Sequence, residues 1–175
     1  AEQSYMVTNG TSTSNKIVGM YAAPAGSTVL IDRNCHKSLT HLLMMSDIIP
    51  LWMKPARNAL GILGGIPRNE FSHDTIATKV ATTPNATWPV HAVLTNSTYD
   101  GLLYNTNWIK QTLDVPSIHF DSAWVPYTHF HPIYQGKSGM SGERVPGKVF
   151  FETQSTHKML AALSQASLIH IKGDY

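Results

Sequence analysis

The chain is 175 residues long, 42% hydrophobic and 14% charged, with a formal net charge of +2; this excludes disordered and fibrous classes and allows one domain with a substantial core. Lysine and arginine are scattered rather than striped, and no apolar run approaches the roughly 20 residues that cross a bilayer, so neither nucleic acid nor a membrane is an implied partner. The single cysteine, Cys35, rules out a disulfide framework within one chain, fits a reducing cytoplasm, and reads as a packed thiol ahead of a nucleophile.

Short apolar runs alternate with helix-like stretches. Residues 4–8 read as a strand, and 12–23 as a helix with Ile17, Met20 and Tyr21 on one face, stopped by Pro24-Ala25-Gly26. A second strand covers 28–31, a second helix 37–45 and a third strand 48–53. Residues 55–71, with two prolines and three glycines, read as an irregular connection. Ser72 is placed to cap a helix running through Thr82, on which Ile76 and Val80 form an i,i+4 pair. A strand at 90–95, a short helix at 106–113 and a strand at 117–120 follow. The connection 121–146 is long, and the glycines at 136, 139, 142 and 147 predict mobility. Strands at 148–152 and 166–172 come last, and the apolar stretch 159–163 between them reads as core. Strands alternating with helices predict an α/β domain with a mostly parallel sheet over 1–175. The chain starts without an initiator methionine and both ends look cut, so a fragment of a longer chain is expected.

Each strand is apolar and then runs into reactive or hydrogen-bonding side chains. The first leads to Thr8-Asn9-Gly10-Thr11-Ser12-Thr13, the second to Asp32-Arg33-Asn34-Cys35-His36 and the fourth to Asn96-Ser97-Thr98-Tyr99-Asp100. The fifth leads to Asp121-Ser122-Ala123-Trp124 and the sixth to Thr153-Gln154-Ser155-Thr156-His157-Lys158. Ligands of open α/β sheets bind outside the carboxyl ends of the strands, so these clusters are expected to converge on one crevice. Thr11-Ser12-Thr13 opens a helix, where free N–H groups and the helix dipole favour an anion; an ordinary Ser/Thr cap is the alternative. No G-x-G-x-x-G follows the first strand, and no glycine precedes Gly136-Lys137-Ser138 at P-loop spacing, which disfavours a nicotinamide-dependent oxidoreductase and a P-loop site. His129 and His131 alternate, but no cysteine or acid stands near them at ligand spacing, so no metal site is expected. His119, inside a strand, reads as packed rather than ligating.

Ser155-Thr156-His157-Lys158 resembles the lysine loop of the bacterial ornithine, lysine and arginine decarboxylases, which use pyridoxal 5′-phosphate. Val7-Thr8-Asn9-Gly10-Thr11-Ser12-Thr13 is similar to that family's phosphate loop. Asp32-Arg33-Asn34-Cys35-His36-Lys37-Ser38 is similar to its ring-stacking segment, and His119-Phe120-Asp121-Ser122-Ala123-Trp124 to its pyridine-binding segment. The similarity extends over essentially all 175 residues, and the stretches 58–67 and 96–105 read most like the lysine-specific members.

The resemblance implies an aspartate-aminotransferase-like large domain: three layers, with a seven-stranded mostly parallel sheet, helices on both faces, and the last strand antiparallel. It implies decarboxylation of L-lysine to cadaverine, with arginine or ornithine as the nearest alternatives and a non-catalytic cofactor-domain fragment as another. Lys158 would hold the cofactor as a Schiff base, and Asp121 would keep the ring nitrogen protonated. His36 would stack on one ring face and Ala123 pack the other. Thr11, Ser12 and Ser155 would bind the phosphate, His157 and Lys158 would return a proton to the substrate carbon, and Trp124 would shape the pocket wall. A homo-oligomer, dimeric or larger, is implied for the full-length protein.

Overall fold

Three runs of aliphatic and β-branched residues form the middle of the sheet: β2 (Thr28–Asp32), β4 (His91–Thr95) and β5 (Ser117–Asp121). Almost every residue in them is buried, as expected of parallel strands covered on both faces. In the computed structural model, which describes residues 1–175, they join β1 (Gln3–Val7), β3 (Ile49–Met53), β6 (Val149–Gln154) and β7 (Ser167–Gly173). The order is β1-β7-β6-β5-β4-β2-β3, and β7 alone runs against the rest, antiparallel to both β6 and β1.

Side-chain alternation along the strands divides the core between two helical layers. Leu30, Leu94, Ile118, Phe120 and Phe150 face α3 (His73–Thr82) and α4 (Thr106–Thr112), packing with Ile76, Ile109 and Leu113. Val29, Ile31 and Val93 face the other way, toward Leu39 and Leu42 of α2 (Lys37–Ser46). Beside them, α1 (Gly10–Ala22) lays Val18 on Phe151 and Ile169. Ser72 caps α3 as expected, its hydroxyl accepting from Thr75 N at 3.3 Å. A four-residue helix, α5 (Thr156–Met159), follows β6 directly.

Three expectations from the sequence are corrected. Ile17, Met20 and Tyr21 do not form the buried face of α1; all three are exposed, and Thr11, Ser14, Asn15, Val18 and Gly19 are buried instead. This helix turns polar side chains inward because its start belongs to the site. Gly19 lets it lie close to α2, where a Cβ would sit 2.0 Å from Leu42 Cδ2. The stretch 159–163 is not core: Met159 is 45% and Leu163 87% exposed in the link between α5 and β7. Finally, the glycines of the long connection do not leave it loose. Buried Glu152 on β6 accepts hydrogen bonds from Ser138 Oγ at 2.8 Å, Gly139 N at 2.9 Å and Met140 N at 3.2 Å. Lys110 Nζ donates to Ser141 O at 2.5 Å, and Lys172 Nζ donates to the carbonyls of Met140 and Gly142. Gly139 is small because Phe120 lies against it; a Cβ there would come within 2.9 Å of that ring.

Candidate active site

The chain leaves β2 outward to β3 and returns to β4 on the other side of β2, so a crevice opens at the carboxyl ends of these strands. Asp32, at the end of β2, spans it by accepting from Asn34 N at 2.8 Å and Thr95 N at 3.3 Å. Two adjoining cavities lie beyond these strand ends, of about 340 and 170 Å³, and His36, Asp121, Ala123 and Lys158 line both.

The smaller cavity is polar and sits at the start of α1. Asn9 makes no side-chain cap there, so the amides that follow Gly10 in the first turn of α1 have no capping side chain. Thr11 Oγ1 lies 2.5 Å from Ser155 Oγ and 3.1 Å from Ser167 Oγ, tying the helix start to the ends of β6 and β7. Gly10, at φ +72°, donates its N–H to Gln165 O at 2.8 Å, a backbone geometry that favours glycine. Ser12 and His157 complete the wall. His157 Nδ1 donates to Ala166 O at 2.8 Å, which leaves Nε2 as the ring nitrogen free of a protein partner.

The larger cavity is walled by Trp124, Tyr99, Thr95, Ser97 and Cys35. Trp124 packs edge-on to Tyr99 with ring centroids 4.9 Å apart, and Lys158 Nζ lies 5.7 Å from the Trp124 ring centre. Trp124 Nε1 is buried without a partner. Burial pushes the Cys35 thiol up to about 11, with the Asp32 and Asp121 carboxylates adding to the effect, so this thiol stays protonated and unreactive.

Asp121 closes the floor. It is fully buried, and its neighbours within bonding distance are neutral: Asn15 Nδ2 donates to Oδ2 at 2.8 Å and Ala123 N to Oδ1 at 3.3 Å. Burial raises its carboxyl above the ordinary aspartate value, and these two donors together with the nearby Lys158 ammonium partly oppose the rise. His36 caps α2, with Ser38 N donating to Nδ1 at 3.2 Å, which leaves the ring proton on Nε2. Burial lowers its pKa against the pull of Asp121, so it presents a neutral ring.

All nine residues singled out from the sequence therefore meet at these two cavities: Thr11, Ser12, His36, Asp121, Ala123, Trp124, Ser155, His157 and Lys158. His129 and His131 are exposed and line a separate surface hollow. Asn15 and Gln165 are not picked out by the sequence reading. The available signal for Asn15 was its position four residues after Thr11, one helical turn below it on the same face of α1.

A family model described as Orn/Lys/Arg decarboxylase, major domain, matches residues 1–175. The chain belongs to this family. Among curated relatives it is 86% identical over 175 residues to the constitutive lysine decarboxylase of Escherichia coli strain K12 and 78% identical over 174 residues to that organism's inducible lysine decarboxylase. It covers 100% and 99% of itself in those alignments but only 24% of either relative, so the chain spans about a quarter of their length. The solved structure of the E. coli constitutive lysine decarboxylase superimposes with a TM-score of 0.97 at 86% identity, covering 100% of this chain and 25% of that one. No helix is long and apolar enough to cross a membrane.

Proposed function

We propose that this chain is the cofactor-holding part of a pyridoxal 5′-phosphate-dependent decarboxylase that converts L-lysine to cadaverine and carbon dioxide. The observation that carries the reading is the convergence of an amine, a buried carboxylate, an imidazole and a hydroxyl cradle on two cavities that share four residues. The donor set fits the cofactor. Asp121 is a buried carboxylate bonded only to neutral donors, which a protonated pyridine would compensate. The 170 Å³ cavity at the uncapped helix start suits a phosphate.

When bound, the cofactor supplies an electron sink for the pair left at the substrate carbon as carbon dioxide departs. The residues of this chain then have distinct tasks. Lys158 would hold the cofactor covalently through its side-chain amine. Asp121 keeps a proton on the ring nitrogen by opposite charge. His36 covers one ring face, and Ala123 covers the other because a longer side chain would crowd it. Thr11, Ser12 and Ser155 bind the phosphate. His157 and Lys158 are the proton donors to the substrate carbon, with Trp124 as the wall that keeps water from it. The lysine preference rests on the similarity to lysine decarboxylases, and so do a homo-oligomeric assembly and a cytoplasmic location.

The test is borohydride reduction of the full-length protein carrying this sequence, loaded with pyridoxal 5′-phosphate, followed by peptide mapping and product analysis. The adduct is expected on Lys158, and Lys158→Ala should lose it entirely. Lysine should release cadaverine far faster than arginine or ornithine releases its own amine. An adduct surviving in Lys158→Ala would refute the cofactor assignment, and preference for another amino acid would refute the substrate.

A further inference from the structure

Two of the groups proposed to touch the cofactor ring, Asp121 and His36, hang from one buried side chain. Asn15, 1% exposed, donates from Nδ2 to Asp121 Oδ2 at 2.8 Å and to Ser38 Oγ at 3.0 Å. Ser38 Oγ in turn lies 2.9 Å from His36 Nδ1. The carboxamide is itself held from behind, because Thr153 Oγ1 donates to Asn15 Oδ1 at 2.7 Å. Thr153, having spent its proton, accepts from His119 Nε2 at 2.9 Å, so the buried neutral His119 is fixed as the Nε2–H tautomer. A flipped amide would turn its oxygen toward the Asp121 carboxylate, two acceptors with no proton between them. Only one orientation is satisfied.

From this geometry we infer that Asn15 is a positioning residue for the cofactor ring: it orients the Asp121 carboxylate and the His36 imidazole together, and Thr153 anchors its carboxamide from behind. The inference rests on the cofactor reading above. Its position on α1 adds a geometric consequence. The same helix carries the phosphate cradle at Thr11 and Ser12, so phosphate site and ring site are held at a fixed spacing by one rigid element.

The test is a double-mutant cycle on the full-length protein, read out as the Kd for pyridoxal 5′-phosphate and the visible circular dichroism of the bound ring. Asn15→Ala is expected to raise Kd by about 10- to 100-fold, the range of a hydrogen bond to a charged group, and to weaken the dichroism. In an Asp121→Asn background the same change should have little further effect, which a packing role alone would not produce. Thr153→Val, which keeps the shape and removes the proton, should shift Kd in the same direction by severalfold and decides the matter if Asn15→Ala does not fold. A wild-type protein that takes no cofactor on Lys158 overturns the cofactor reading and this inference with it. Normal wild-type loading with Kd changed less than twofold in both variants, or changed equally in the two backgrounds, overturns this inference alone.

Discussion

Replacing Glu152 by alanine should free the connection between β5 and β6. Three donors, Ser138 Oγ, Gly139 N and Met140 N, point at its two buried oxygens, at 2.8, 2.9 and 3.2 Å. Truncation orphans Ser138 Oγ and Gly139 N, whereas Met140 N keeps Ser138 Oγ at 3.1 Å. At about 1–3 kcal/mol for each buried unpaired donor the sum is about 2–6 kcal/mol. Single substitutions above about 5 kcal/mol are exceptional. The expected loss is therefore about 2–5 kcal/mol, with Lys110 and Lys172 still holding Ser141, Met140 and Gly142 from the other side. Glu152→Gln should fall between, since one oxygen still accepts while the new NH₂ confronts a donor. Urea unfolding of the full-length protein gives the free energy, and limited proteolysis followed by mass mapping gives the location. New cleavage is expected within residues 136–146. A loss under about 1 kcal/mol with an unchanged cleavage pattern would refute the view that Glu152 anchors this connection.

Two further perturbations probe the scaffold. Gly19→Ala places a Cβ 2.0 Å from Leu42 Cδ2, so overpacking of about 1–3 kcal/mol should outweigh the roughly 1 kcal/mol gained in helix propensity; Leu42→Ala in the same chain should restore part of the loss, and equal thermal midpoints for Gly19→Ala and wild type would contradict the close α1–α2 approach. Burial lowers His91 from 6.5 to about 3 and His119 well below 6.5, so both stay neutral in the fold and take up protons on unfolding. Below pH 6.5 the unfolded chain therefore binds more protons, and stability should fall toward pH 3 by about 1.4 kcal/mol per pH unit for each ring. Asp32 and Asp121, raised by burial, offset part of this as they protonate first in the fold. His91→Gln should flatten the acid limb measured by circular dichroism; an unchanged slope would remove His91 from the account.

The sheet was legible because its strands announce themselves by composition and end in polar clusters. All seven strands lie within two residues of their expected limits, and the reversal of β7 followed from the family resemblance rather than from periodicity. The candidate site was legible for the same reason: Asp121 ends β5, His36 caps α2 and Lys158 lies in the short helix that follows β6. Two classes of feature stayed hidden. The inward face of α1 carries Ser14 and Asn15 while its apolar Ile17 and Tyr21 face an open groove beside β1 and β7, so hydrophobic spacing pointed to the wrong side. The anchoring of the long connection depends on Glu152, whose partners lie 12 to 14 residues back along the chain and are mostly backbone amides. Local patterns of side-chain type carry no trace of such bonds.

The pairing of β1 with β7 also bears on how the chain is made. Val7 lies opposite Ser167, and Thr11 bonds to Ser155 and Ser167 across most of the sequence. The proposed phosphate cradle thus joins segments 144 and 156 residues apart in the chain and cannot exist until both have left the ribosome. At roughly 5–20 residues per second, the first strand waits about 8 to 32 seconds for its neighbour. During that wait β1 is an unpaired edge bearing Tyr5 and Met6, open to pairing with other chains. Closure of the proposed cofactor site should therefore come late, after β7 has joined the sheet, with β1 as a segment in need of protection until then.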